Sequence, residues 1–287
     1  ASIMMGRGNR EEAERILGNC TSMLVIVAVI VTAVSQIWGT DILMLFGASE
    51  STLPYAWAYM QIYSTGTIFV QLALGLNAFI NAQGFAKTGM LTVVIGAVCN
   101  IILDPIFIFG LHMGVRGAAL ATIISQGISC VWIVRFLLGR QTTLRIRKEN
   151  LRIRPKTVGP CIALGVAPFI MQFTESVLNI CFNTSLLKYG GDVAVGAMTI
   201  LSSVMQMSML PIQGLTQGAQ PIIGFNYGAK KMDRVKKTFR LLLLSCVTFT
   251  AVIWLICMLL PQAFILIFTD QAELIAFTKW ADRKSVV

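Results

Sequence analysis

Apolar residues in this chain come in long blocks, and polar and charged residues are confined to the short stretches between them. A helix needs about 20 apolar residues to cross a bilayer, and blocks of that length recur. They predict seven spans, at 20–46, 54–80, 89–110, 117–138, 158–187, 193–225 and 239–267, with an eighth beginning near Ala272. Several exceed the minimum, so tilt or kinking is expected. Pro105, Pro168, Pro211 and Pro221 lie inside them, which membrane helices tolerate where neighbours satisfy the freed carbonyls. The fold class is all-α, a polytopic helical membrane bundle.

Composition strengthens that reading. Hydrophobic residues make up 56% of the chain and charged residues 13%, with a mean hydropathy of +0.75. A soluble domain carries about 25% charged residues, so this chain cannot cover itself with a solvated surface. The formal charge of +10 is organised by topology. Residues 7–15, Lys87, residues 140–156 and residues 230–240 hold seventeen Lys and Arg in alternate loops, and the opposite loops hold only Arg116 and Lys188. That asymmetry places the first residue on the cytoplasmic side of a cell inner (plasma) membrane. No basic patch is joined by base-stacking aromatics, so nucleic acid is excluded as a partner.

The seven cysteines, Cys20, Cys99, Cys130, Cys161, Cys181, Cys246 and Cys257, lie in or beside apolar blocks and form no CxxC pair. They act as small hydrophobes, and neither a disulfide framework nor a metal site is indicated. His112, the single histidine, falls in a short loop.

A shift of 222 positions brings two regions into register. Gly6-Arg7-Gly8-Asn9-Arg10-Glu11-Glu12-Ala13 falls on Gly228-Ala229-Lys230-Lys231-Met232-Asp233-Arg234-Val235, and Ile42-Leu43-Met44-Leu45-Phe46 falls on Phe264-Ile265-Leu266-Ile267-Phe268. The matched spans are six apart and point the same way, so the repeat is parallel, a symmetry used by secondary transporters. The expected organisation is two parallel six-helix lobes, both truncated. Residues 1–138 form the N-terminal lobe (spans 3 to 6 of 12) and 139–157 a basic cytoplasmic linker. Residues 158–281 form the C-terminal lobe (spans 7 to 9 and the start of 10), and 282–287 are read as a non-native tail.

Only Asp104 and Glu175 place an acid well inside a span, and no basic residue does so if Arg135 snorkels at its helix end. A charge at mid-bilayer costs at least ~2.5 kcal/mol, and such residues face a bundle interior and serve ion or substrate paths. Asn100 stands one turn before Asp104 on the same face, and Thr122 in the next span is expected to reach the same pocket. Carboxylate, amide and hydroxyl oxygens suit a proton or a hard cation. Withdrawal from water favours the neutral form of a carboxyl, so a proton can be exchanged for a cation. Gln172, Glu175, Asn179 and Asn183 recur at helical spacing, and Gln206, Gln213, Gln217 and Gln220 make a similar stripe. Such stripes line a helix seam or a watery cavity, and Glu175 favours the cavity, with Gln172, Asn179, Gln206 and Gln213 along it. Met198, Met205 and Met209 share a face that is either ordinary packing or the wall of a pliable apolar pocket.

The run from Gly214 through Gln217, Gln220-Pro221, Gly224, Asn226 and Gly228 to Ala229 resembles a loop-proximal signature of the multidrug and toxic compound extrusion (MATE) transporters, in the bacterial drug-exporter branch. Gly6-Arg7-Gly8-Asn9 with Ala13 resembles its first-half counterpart, and Asn100 through Asp104-Pro105 and Glu175 after Pro168 sit where that family places acidic sites. The resemblance runs from residue 1 to about 281. It implies a twelve-span, two-lobed monomeric antiporter in the lipid bilayer that expels organic cations in exchange for inward H⁺ or Na⁺ by alternating access, with no cofactor beyond that ion. Asp104, Asn100 and Thr122 would form a first-lobe cation site, and Glu175 part of a second. The family's acids in its first and tenth spans fall where this sequence is absent or cut, which leaves both sites incomplete.

A lipid-linked oligosaccharide flippase of the same superfamily is the alternative, but it would line its cavity with Lys and Arg for pyrophosphate. A seven-span receptor would place its N-terminus outside, against the loop charges. A membrane enzyme would need a nucleophile or metal cluster, and no HExxH, paired aspartates or Ser/His set is present.

Overall fold

A computed structural model describes residues 1–46, 48, 50, 52–139 and 141–259. Among them every regular element is helical. The expected eighth span and the tail at 282–287 lie outside the described residues.

After a short α1 (Ser2–Gly6), α2 runs from Arg10 to Leu45 with a kink at Trp38. Its start is written in the sequence: the Asn9 side chain accepts the Glu12 N–H at 3.0 Å, and Glu11 and Glu12 complement the helix dipole. The predicted span 54–80 is two helices, α3 (Leu53–Thr65) and α4 (Thr67–Ala82), bent by 56° at Gly66. The cause is visible in the side chains opposite. Gln61 and Ser64, near the end of α3, present carbonyls that the Gln36 amide (2.8 Å) and the Thr32 hydroxyl (2.8 Å) of α2 satisfy. Gln36 also donates to the Ser64 hydroxyl at 2.9 Å. A broken span is stable in lipid when neighbours fill its orphan acceptors in this way. Next come α5 (Ala86–Pro105), a π-helical turn at Ile106–Gly110, and α6 (Val115–Leu138), which ends with Arg135 in its last turn.

Two predicted spans, 158–187 and 193–225, fall in a single helix, α7 (Pro155–Gly228). Residues 188–192, expected as the turn between them, are helical as well, yet both ends of α7 belong to the first unit, so its 74 residues do not run as one straight rod. The 74 residues of α7 exceed more than threefold the ~20 that one crossing needs. The last described helix is α8 (Met232–Leu259).

The chain divides into two compact units, residues 1–168 with 224–230, and residues 169–223 with 231–287. In the first, α5 packs on α6, α4 on α6 and α2, and α3 on α2 and α6. Its tightest apolar core joins Ala13 and Leu17 of α2, Ala73, Leu76 and Ile80 of α4, Ile133 and Leu137 of α6, and Leu144. The outer faces are apolar and bare: Ile37 is 65% exposed, Leu74 67% and Ile101 70%. In the second unit Met171 and Leu244 are likewise exposed. Faces of that kind are stable against lipid and not against water. Five described helices are long and apolar enough to cross a membrane, six with the bent pair counted as one span.

The 222-residue register is reproduced by the backbone. α2 begins at Arg10 and α8 at Met232. Gly8 (φ 77°) and Lys230 (φ 58°), 222 apart, both take the left-handed conformation. Arg7 N–H donates to Ile3 O as Ala229 N–H does to Phe225 O, and Gly8 N–H to Met5 O as Lys230 N–H does to Tyr227 O, all at 3.0 Å. The two junctions also meet, within the first unit. A Cβ added at Gly6 would overlap the Phe225 carbonyl, 2.9 Å from its carbon, and one at Gly228 would overlap the Ile3 carbonyl, also 2.9 Å from its carbon. Ile3 and Phe225 are equivalent positions of the repeat, so the crossing contacts itself reciprocally through two glycines.

Candidate functional site

Asp104 closes α5 in a locally interrupted helix. Pro105 has no N–H to offer the Ile101 carbonyl, the Ile106 N–H turns back to Leu103 O, and the π-turn follows. Such interruptions are frequent at functional sites. The Asn100 amide donates to Asp104 Oδ1 at 3.2 Å, and both residues are half-buried. Asn100 and Thr122 line one cavity of about 220 Å³ between α4, α5 and α6. The structure therefore joins Asn100 to Asp104 by a hydrogen bond and Asn100 to Thr122 by a shared cavity. Thr122 donates to Ala118 O at 2.9 Å, which leaves its lone pairs as acceptors.

Glu175 belongs to the second unit. The Gln172 amide donates to Glu175 Oε2 at 3.1 Å, and Gln172, Glu175 and Asn179 are exposed on α7. Gln206 and Gln213 are exposed on α7 as well, as are Met205 and Met209, and Met198 is half-buried. The side chain of Asn183 lies outside the described residues. Among the described residues no cluster of His, Cys, Asp and Glu has a metal-binding arrangement.

Two polar assemblies escaped the sequence reading. The first is the rest of the cavity, where Asn77, Thr92, Ser125, Gln126 and Ser129 join Asn100 and Thr122. The second is the clamp that holds the basic linker. Glu14, 4% exposed, receives Arg147 Nε at 2.9 Å, Arg10 Nε at 3.6 Å and the Arg145 N–H at 3.4 Å. Asn19, 1% exposed, donates to Asn150 O at 3.1 Å and accepts the Arg154 N–H at 2.6 Å. Ser22 donates to Leu151 O, and Gln83 Oε1 accepts from the Thr142 hydroxyl and the Leu144 N–H at 2.7 and 2.8 Å. The linker is thus a strap whose backbone groups are satisfied by side chains of α2 and of the α4 C-terminus, with Leu144 plugged into the core. The helical spacing of Ala13, Glu14 and Leu17 on one inward face was the available signal for Glu14.

The MatE family profile matches residues 1–106 and 168–280. The multidrug export protein MepA of Staphylococcus haemolyticus is 27% identical over 250 residues, covering 87% of this chain and 55% of its own length. MepA of Staphylococcus aureus is 27% identical over 229 residues, covering 80% and 49%. The chain spans about half the length of these curated relatives. A solved MATE multidrug transporter, DinF-BH in complex with R6G, matches with a TM-score of 0.90 and 33% identity over 98% of this chain and 63% of that one. An outward-facing multidrug resistance MATE transporter of the MOP superfamily matches the fold with a TM-score of 0.89 at 21% identity, covering 98% and 63%. The proteins matched are transporters rather than enzymes.

Proposed function

The chain belongs to the MatE family, and from that premise we propose that the whole protein is a secondary active transporter that expels organic cations and drugs in exchange for inward H⁺ or Na⁺ by alternating access. The observation that carries the coupling half of this reading is the Asn100–Asp104 pair at an interrupted helix end, beside a cavity that Asn100 shares with Thr122. A carboxylate with amide and hydroxyl oxygens nearby suits a proton or a hard cation, and a site of one negative charge can hold either in turn. Glu175, with Gln172 bonded to it, would serve the second lobe, and Asn179, Gln206 and Gln213 would line the substrate path. The drug-export half is supported by the MepA relatives and by the R6G-bound neighbour. The seventeen-to-two loop charge asymmetry supports an inner-membrane protein with its first residue in the cytoplasm. Its partners would be a small organic cation and the bilayer, with the monomer as the working unit.

The test is efflux of a fluorescent organic cation from liposomes that contain the full-length protein, under an imposed pH or Na⁺ gradient. Asp104→Asn and Glu175→Gln are each expected to lower gradient-driven efflux at least tenfold. Full activity in both variants would sink the site assignment, and no transport under either gradient would sink the function.

A further inference from the structure

The cavity beside Asn100 reaches far beyond that residue. Thr92 stands eight residues before Asn100 on α5, about 12 Å along the helix, and lines the same space as Ser125 and Ser129 of α6. Asn77 of α4 extends it to the first turn of α5, where its amide donates to Gly89 O at 3.3 Å. On α5 the cavity's lining runs from Thr92 to Asn100, and Gly89 and Asp104 each stand about one turn beyond it.

The hydroxyl hydrogens along this line are already committed. Thr92 donates to Thr88 O at 3.0 Å, Ser125 to Ala121 O at 2.7 Å, Ser129 to Thr92 O at 3.1 Å, and Thr122 to Ala118 O. One amide N–H of Asn100 is given to Asp104. Asn77 Oδ1 is buried and has no hydrogen-bond partner. Apart from Gln126 and the second amide N–H of Asn77 and of Asn100, the polar lining therefore presents acceptors. A buried acceptor without a donor is costly, and polar cavities of this size hold water, each molecule taking about 30 Å³. What satisfies an acceptor-lined channel is water and, within it, a small hard cation.

We propose that this cavity is a hydrated path for the coupling cation, running inside the first helical unit from the Asn100–Asp104 site to the end of α4 and the start of α5, and rests on the antiport reading above. Asp104 releases its proton to the first water and becomes a carboxylate. The chain of waters passes one proton on to the basic-loop side. A Na⁺ ion would take the same route with lining oxygens replacing part of its hydration shell. Gly96 sets the width of the path, since a Cβ there would lie 2.6 Å from Ser129 Oγ and drive it into the cavity.

The test uses the full-length protein in liposomes, with a trapped pH dye at zero Na⁺ in one arm and a Na⁺ dye at symmetric pH in the other. Asn77→Leu replaces the unpartnered oxygen with carbon of similar volume, and Ser125→Ala with Ser129→Ala removes two acceptors without adding bulk. Both are expected to slow ion entry and gradient-driven efflux at least fivefold, with substrate-for-substrate exchange within twofold of wild type, a split that a loss of folding would not produce. The arm in which wild-type ion entry occurs identifies the cation. Wild-type ion entry in both variants, with Asp104→Asn still inactive, overturns the path and leaves the antiport reading standing. A wild-type protein with no gradient-driven efflux overturns the antiport reading and this path together.

Discussion

Gly6 and Gly228 predict a non-additive pair. A Cβ at either position would lie 2.9 Å from a backbone carbonyl carbon and overlap the oxygen attached to it, and because the obstacle is backbone, no rotamer relieves the clash. Restoring ordinary contact with that oxygen needs the two segments to separate by more than ~1 Å, and overpacking of that kind costs about 1–3 kcal/mol. Replacing a helical glycine by alanine returns about 0.5–1 kcal/mol, which leaves a net loss of roughly 0.5–2 kcal/mol for each single substitution. The contact is reciprocal, so the separation forced by the first alanine also makes room for the second. Gly6→Ala with Gly228→Ala should therefore cost less than the sum, by at least ~0.5 kcal/mol. The assay is thermal unfolding of the purified full-length protein in detergent, where each kcal/mol moves Tm by about 2–4 °C. Gly159→Ala is the control, because nothing lies within 4 Å of its added carbon. Single variants as stable as that control, or a double variant equal to the sum of the singles, would refute the reciprocal crossing.

The linker and the broken span make two further predictions. Glu14→Gln keeps the shape of a nearly buried side chain and removes the charge that holds Arg147 and Arg10; it should cost about 1–3 kcal/mol, and trypsin should cut the linker at Arg145 or Arg147 several-fold faster, whereas unchanged cleavage would mean the strap is not held by that charge. Thr32→Val with Gln36→Leu removes the Thr32 donor from the Ser64 carbonyl and the Gln36 donor from the Gln61 carbonyl, which keeps the Ser64 hydroxyl at 3.2 Å; thermal unfolding should show a loss of about 1–3 kcal/mol, chiefly from the Ser64 acceptor, and a wild-type Tm would show that the bend at Gly66 does not depend on α2.

Hydrophobic block length made the membrane helices legible in the sequence, because a bilayer imposes one length on every crossing. The repeat was legible at the Gly6–Ala13 and Gly228–Val235 junctions, where a left-handed residue and a helix start recur, despite the substitution of Lys230 for Gly8. The bend at Gly66 was hidden within one continuous apolar block, since its stability comes from Thr32 and Gln36 some 30 residues away. Asn100 and Asp104 were found because they are one turn apart on one helix. Asn77, Thr92, Ser125 and Ser129 were not, because each is an ordinary small or polar residue in its own span and only the packing of three helices brings them to one cavity. The linker looked like a solvated basic loop; its fixing contacts join residues 131 and 135 apart, a separation that no local pattern reports.

The central claim, exchange of an organic cation for an inward ion at Asp104, is tested most directly by recording both fluxes in the same liposomes. Organic-cation exit and H⁺ or Na⁺ entry should start together and keep a fixed ratio as the gradient is varied, and both should vanish in Asp104→Asn. Organic-cation exit that proceeds without ion entry, or ion-coupled exit that survives Asp104→Asn, would contradict the account.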